Sequence, residues 1–331
     1  MNAFKSGFWL ALIACLLMVS TARAADKVEL VKDGDHINVV IGGKPFTTFF
    51  FPTDIAKPFF QPLRTPQGTI VTRDFITGNT IPPEHLKDPR LEPHQRPMYF
   101  GHGDIDGLDF WGEAVFPKYS EDSVFGREVF RKLEDMQSGP ESGTLKADFD
   151  LTDPSGRVIA DQIESFAFGG DQSARWIDCE FTVVANHGSD VVMGDTKEGS
   201  FAIRLANELS SPPGHMVSSA GAEGEKDVWG KPADWVNIDG TIGGEDLGIA
   251  IFDSPKSFRH PTTWMARGYG LLAANPFGWR EFEKDPSKDG SWTIQEGKSI
   301  TFRYRVFIHH GDYKQAKVAE AYQAYAAQEQ H

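Results

Sequence analysis

The sequence predicts an all-β fold: one large antiparallel β-sandwich with a C-terminal helix. Three observations lead there. Apolar and polar residues alternate along most segments, with the period of two that a half-buried strand shows. Gly, Asp, Asn and Pro punctuate those segments at short intervals, as turns between antiparallel strands require. Helical spacing occurs near the C-terminus, where Val318, Ala321, Tyr322 and Tyr325 share one face of Lys314 to Gln328.

Each strand has its own local signal. Val28 to Val31 and His36 to Ile41 flank Lys32-Asp33-Gly34-Asp35, a hairpin with an Asp-Gly turn. Gly42-Gly43-Lys44-Pro45 turns the chain into Phe46 to Phe51. Leu145 to Leu151 alternates, and Asp153-Pro154-Ser155-Gly156 returns it as Val158 to Phe168. In Trp176 to Val184 the residues Ile177, Cys179, Phe181 and Val183 share one face, and Asp178, Glu180 and Thr182 the other. Phe201 to Leu205, Trp235 to Ile238, Leu247 to Phe252, Tyr269 to Ala274 and Ile300 to Ile308 follow the same pattern. Asn79 to Pro97 does not: five prolines and many charges make it a long ordered loop or lid.

The N-terminus reads as a secretory signal. Lys5 precedes an apolar run, Phe8 to Val19, and Ala22-Arg23-Ala24 is a small-x-small cleavage site. Residues 1–24 are therefore expected to be removed, leaving 25–331 as one β-sandwich domain in the periplasm or outside the cell. Leu12-Ile13-Ala14-Cys15 offers a competing lipoprotein box, but the apolar run continues past Cys15. No later stretch is apolar enough to span a bilayer. Once Cys15 is removed with the signal, Cys179 is the only cysteine left, on the apolar face of its strand, and is expected to be an inert buried thiol.

The chain carries a formal charge of −14. Loss of the two signal cations, Lys5 and Arg23, leaves about −16, which argues against nucleic acid or an anionic membrane as partner. No nucleophile elbow, dinucleotide fingerprint, HExxH or Cys-x-x-Cys motif is present. Acid–base chemistry is left to carboxylates and histidines.

Four polar clusters are candidate parts of a site. The densest is His94 to Glu113, where His94, Arg96, His102, Asp104, Asp106, Asp109, Trp111 and Glu113 alternate with Gly101, Gly103, Gly107 and Gly112. Mixed polar and aromatic groups on tight bends suit the wall of a sugar pocket. His102-x-Asp104 can orient a general base or hold a divalent metal; no cofactor is otherwise expected. A second cluster, around Pro62-Leu63-Arg64-Thr65-Pro66 and Arg73, offers two arginines for forked hydrogen bonds. A third, Gly194-Asp195-Thr196-Lys197-Glu198-Gly199, precedes Arg204 and sets a lysine beside a glutamate whose pKa it could tune. A fourth runs from Arg259-His260-Pro261 through Trp264 and Arg267 to Asn275.

On these motifs the chain resembles a family of secreted bacterial proteins labelled methane oxygenase PmoA-like. The resemblance rests on Pro62-Leu63-Arg64-Thr65-Pro66, Phe100-Gly101-His102-Gly103-Asp104, Asp109-Phe110-Trp111, the 194–199 turn, His260-Pro261 with Trp264, and Ala274-Asn275-Pro276-Phe277-Gly278. The label implies methane oxidation by a multi-span membrane subunit, and a chain without spanning segments is not expected to perform it. A fainter resemblance is to aldose epimerases with the galactose-mutarotase-like supersandwich, through His102-Gly103-Asp104, Gly107-Leu108 and Trp111. That resemblance implies a supersandwich and a sugar-binding His102; the family's catalytic glutamate has no secure counterpart here.

The sequence thus leads to a carbohydrate-active enzyme working on a sugar or glycoside by hydrolysis, elimination or epimerisation. His102, Asp104, Glu198 and His260 are its acid–base candidates. Arg64, Arg73, His94, Arg96, Lys197, Arg204, Arg267 and Asn275 are expected to hold substrate, and Trp111 and Trp264 to stack on it. A non-catalytic carbohydrate-binding protein and a metal-dependent oxidoreductase are the alternatives.

Overall fold

The computed structural model of the protein describes residues 25–76, 78–88, 90–116 and 123–329. The secretory signal read in residues 1–24 lies outside them. In chain order the strands are β1 (Val28–Asp33), β2 (His36–Ile41), β3 (Lys44–Phe50), β4 (Phe59–Phe60), β5 (Met98–Phe100) and β6 (Arg127–Gln137). Then come β7 (Ser142–Thr152), β8 (Val158–Gly170), β9 (Ala174–Ala185), β10 (Val191–Met193), β11 (Phe201–Arg204) and β12 (His215–Ser218). The chain finishes with β13 (Trp235–Ile242), β14 (Glu245–Asp253), β15 (Trp264–Arg267), β16 (Leu271–Ala274), β17 (Trp292–Ile294) and β18 (Lys298–His310). Three α-helices are present among the described residues: α1 (Gly224–Val228), α2 (Trp279–Phe282) and α3 (Val318–Gln328).

Two eight-stranded antiparallel sheets form the sandwich. The first has the order β1-β2-β3-β4-β5-β11-β16-β15, the second β12-β13-β14-β18-β9-β8-β7-β6. The spine of the second sheet is β9 against β18, paired from Lys298 opposite Ala185 to His309 opposite Ala174. The β1–β2 hairpin forms as its sequence requires, with Gly34 at φ +59° in the turn. That is a left-handed conformation in which a side chain would be strained.

The two sheets are glued by phenylalanine. Phe60 meets Phe166 at 4.7 Å between ring centroids, Phe100 stacks on Phe181 at 4.6 Å, and Phe201 stacks on Tyr304 at 5.1 Å. Each buried ring contributes roughly 1.5–3 kcal/mol by leaving water, and truncating one to alanine costs about 3–5 kcal/mol. Cys179 is buried in this layer, and burial pushes its thiol well above the usual range. Helix α3 covers the other face of the second sheet, setting Val318, Tyr322 and Tyr325 against Trp235 and Phe252.

The outward face of the first sheet carries a cavity. Period-two alternation aims Tyr99, Ala202, Ala273 and Met265 away from the sandwich core, where they pack with Phe59 and Trp111. The proline-rich 79–97 segment covers part of this side, and its described residues form one 3₁₀ turn and no strand.

Strand β6 escapes sequence reading. Its sequence, Arg-Glu-Val-Phe-Arg-Lys-Leu-Glu-Asp-Met-Gln, carries charges on both faces and pairs with β7 through two register shifts. It is an edge strand, where charge discourages further pairing and no clean alternation is needed. No helix among the described residues is long and apolar enough to cross a membrane.

Candidate functional site

A cavity of about 600 Å³ opens on the outward face of the first sheet. Its walls come from four separated stretches: Arg90 to Gln95, Gly103 to Gly112, Thr196 to Glu198, and Met265 to Tyr269, with Ser123 and Glu225 completing it. A smaller cavity, about 370 Å³, lies by the second sheet near Tyr304 and Tyr325 and takes in none of the four sequence clusters' candidate residues.

Of the four acidic residues lining this cavity, Glu92, Asp109, Glu198 and Glu225, two are shifted by burial. Glu198 stands on the floor, where Gly103 N–H donates to its backbone carbonyl at 2.7 Å. Burial pushes the Glu198 carboxyl above the ordinary carboxylate range, against the pull of Lys197 and helped by the charge of Glu281. Asp109 accepts the N–H groups of Trp111 and Gly112 at 2.9 and 2.7 Å. Burial also raises its pKa, and those two hydrogen bonds and Lys57 oppose the rise. A carboxyl so placed keeps its proton to higher pH and can act as a general acid.

Lys197 bridges two acids, with Nζ 2.8 Å from Glu281 and 3.5 Å from Glu198. Burial works against its charge, but the bonds to those carboxylates prevail and hold its pKa up. The turn that carries both residues is pinned by Asn275, whose Nδ2 donates to the carbonyls of Thr196 and Lys197, each at 2.9 Å. Arg267 reaches Glu225 at 3.3 Å and lies 3.9 Å over the Trp229 ring. Trp111 lines the cavity yet is only 2% exposed, tilted against Tyr99.

His102 sits behind this wall, fully buried. Its Nε2 faces the Gly194 carbonyl at 2.9 Å, and a carbonyl only accepts, so Nε2 carries the proton. Nδ1 then accepts from the Ser200 hydroxyl at 3.2 Å. Burial lowers its pKa to about 4, so the ring is neutral and both nitrogens are engaged in bracing the 194–200 turn. Asp104 closes its own turn by accepting Gly107 N–H at 2.9 Å. Neither lines the cavity.

Of the arginines expected at substrate, Arg267 lines the cavity, while Arg73, Arg96 and Arg204 are engaged by the protein itself. Arg73 donates to the carbonyls of Leu91, Glu92 and Gln95, and Arg204 to those of Tyr269 and Arg90. Burial, with Arg204 next in weight, lowers Arg73 to about 9. Arg96 forks onto Glu113 at 2.8 and 2.6 Å, and Lys57 stands 3.5 Å from the same carboxylate. All three ions of that group are buried beneath the cavity, a placement that demands full pairing. His94 does line the cavity; burial, then Lys57, Arg73 and Arg96, drives its pKa well down and leaves it neutral.

Three sequence candidates stand elsewhere. Trp264 is completely buried, its indole N–H donating to the Ala233 carbonyl at 3.0 Å, so it offers no face for stacking. His260 is 2.8 Å from Asp253 and 3.7 Å from Asp234, away from the cavity lining. Arg64 donates to the Gly68 carbonyl at 3.2 Å within its own hairpin. The structure adds Arg90, Glu92, Gln95, Glu225 and Tyr269 to the lining and gives Asp109 a place in it. Asp109 and Gln95 stand inside the His94 to Glu113 cluster and Tyr269 inside the fourth, whereas Glu225 belongs to none of the four and meets the site through the fold. Among the described residues no group of three or more His, Cys, Asp or Glu side chains is placed to hold a metal ion.

Solved structures with a related arrangement were found at low identity. One is a galactose mutarotase-like protein from Lactobacillus casei, 9% identical, covering 85% of this chain and 100% of that one with a TM-score of 0.41. Another is a GH36 alpha-galactosidase from Geobacillus stearothermophilus, 9% identical, TM-score 0.42, covering 86% of this chain and 41% of that one. An alpha-galactosidase from Lactobacillus brevis matches similarly, with 9% identity, a TM-score of 0.40, and 87% of this chain against 40% of that one. Similarity at this level carries no information on substrate. No curated protein matches the chain. The family profile that matches, over residues 36–323, is described as a family of unknown function, DUF6807, with no oxygenase label attached. The protein belongs to the DUF6807 family.

Proposed function

We propose that the protein is a secreted carbohydrate-active enzyme that acts on a sugar or glycoside by acid–base chemistry in the cavity above the first sheet. The observation that carries this reading is the pair Glu198 and Asp109, two carboxyls raised by burial that line one cavity. A volume of about 600 Å³ falls within the range of small-molecule sites. A carboxyl with a raised pKa suits the general acid of glycoside hydrolysis, and a second, ionised carboxyl suits its base or nucleophile.

In this reading one carboxyl donates a proton to a leaving or ring oxygen and the other receives one. Lys197 and Arg267 hold hydroxyls, Trp111 forms an apolar wall, and His102 and Asn275 are positioning residues for the Glu198 turn. Export through the signal in residues 1–24 would place the enzyme where free sugars are met.

The test is a screen of glycosides, oligosaccharides and oxidised sugars, read by mass change, with Glu198→Gln and Asp109→Asn beside the wild type. Turnover by the wild type that falls at least a hundredfold in both variants is expected. Binding without turnover would move the protein to the carbohydrate-binding class, and full turnover in both variants would end the proposed mechanism.

A further inference from the structure

We infer that the substrate bears a carboxylate and that Arg90 recognises it; this rests on the carbohydrate reading above. The argument is a census of charge in the cavity. Lys197 is paired with Glu281 and Glu198, and Arg267 with Glu225. His94 is neutral. Arg90 is the remaining lining cation, and among the described residues no carboxylate lies within 4 Å of its guanidinium. The acids on its own loop are otherwise engaged or aimed: Asp88 accepts the Arg90 backbone N–H at 2.9 Å, and the Glu92 carboxylate stands 3.9 Å from His94.

Arg90 is also held ready. Its carbonyl accepts from the buried Arg204 at 3.2 Å, which fixes the backbone. Its guanidinium lies 5.4 Å over the ring of Tyr269, and that ring is held from Arg204 at 4.7 Å and through its hydroxyl by Gln95 at 3.2 Å. A guanidinium stacked on an aromatic face keeps its donor fork free at the edge, the geometry that suits a carboxylate. The lining also holds Glu92, Asp109, Glu198 and Glu225, of which Glu198 and Glu225 are paired with Lys197 and Arg267. One lining cation left outside the ion pairs matches one negative charge, so a singly charged uronate fits better than a dianionic phosphate.

The experiment is calorimetric titration of the purified protein with methyl glycosides of galacturonate and glucuronate, and with the neutral galactose and glucose counterparts. Uronate binding at least tenfold tighter than neutral binding, weakening with added NaCl, is expected. Arg90→Gln should bring the two classes to near parity, while Arg90→Lys keeps part of the preference. Arg90 is exposed, so thermal unfolding of the variants should match the wild type. Neutral sugars bound as tightly as uronates, or a preference unchanged in Arg90→Gln, overturns this inference alone. Failure of every sugar to bind overturns it together with the carbohydrate reading.

Discussion

Gly103 passes under Glu198 with no room for a side chain: a Cβ there would stand 2.9 Å from the Glu198 Cβ and 3.0 Å from its carbonyl oxygen. The backbone at Gly103 does not adopt a positive φ, so the demand for glycine is one of space alone. Gly103→Ala should therefore act on the carboxyl above it. Displacement of a catalytic group by even about 1 Å can cost ~100-fold in rate, and overpacking of this kind costs about 1–3 kcal/mol in stability. Turnover and thermal unfolding of Gly103→Ala measured side by side would show both losses; unchanged turnover would detach Glu198 from the chemistry.

The raised carboxyls set the pH profile. Glu198 titrates above the ordinary glutamate value of 4.5 because burial penalises its charge. If it serves as acid, kcat/KM declines as pH rises through that raised value; if as base, kcat/KM climbs there instead. Either limb should vanish in Glu198→Gln, and the Asp109 limb should survive. A profile identical in wild type and Glu198→Gln would rule out a titrating role.

Glu128 gives the fold a pH dependence of its own. It is buried, and burial raises its carboxyl to about 8 despite Lys57 and a 2.7 Å hydrogen bond from Gln162. The folded chain therefore keeps a proton that the unfolded chain releases near 4.5. Stability is greatest below that value and falls as pH rises toward about 8. Glu164, joined to the same Gln162 amide at 2.9 Å, is shifted in the same direction by burial. Glu128→Gln should flatten the loss of stability between pH 5 and 8 without abolishing it. Denaturant unfolding across that range measures it, and an unaltered slope contradicts the assignment.

His260 is expected to matter for stability and not for turnover. Its bond to Asp253 at 2.8 Å holds the proton on the ring and raises its pKa, although burial opposes this. Asp253 is itself raised by burial, with His260 pulling the other way. The sign follows from the histidine: its contribution is fully present below its unfolded value, about 6.5, and is lost as pH rises through the higher folded value. A hydrogen bond to a charged partner is worth ~1.5–3 kcal/mol. His260→Ala should lower the unfolding midpoint most at pH 5.5–6 and leave sugar turnover within about twofold of wild type. A collapse of turnover in a folded variant would return His260 to the site.

The architecture was legible because it rests on local rules. Alternation in Trp176 to Val184 fixes which residues face the core, and Ile177, Cys179, Phe181 and Val183 are all buried in β9. Asp-Gly and Gly-Gly turns bend the chain where expected, and the C-terminal helix forms within the stretch its spacing marks. Edge strand β6 and the short β12 were invisible because neither is governed by an alternating buried face.

The polar motifs were legible as clusters, not as roles. His102, Arg73, Arg96 and Arg204 have the chemistry of ligand-binding groups, but whether such a group meets substrate or a backbone carbonyl depends on which side of the sheet its neighbours close. That is a long-range property: Gly194 and Ser200 claim both nitrogens of His102, and the loop carbonyls of Leu91, Glu92 and Gln95 claim Arg73. The sequence alone determined an all-β antiparallel chain, its turns, and the two stretches that carry Asp109 and Glu198. Only the tertiary structure decided that these two carboxyls share a cavity, that Arg90 and Tyr269 join them, and that His260 and Trp264 do not. Turn and face preferences act over a few residues, whereas burial and pairing of charge are settled by segments distant in sequence, as Gly194 is from His102 and Glu281 from Lys197.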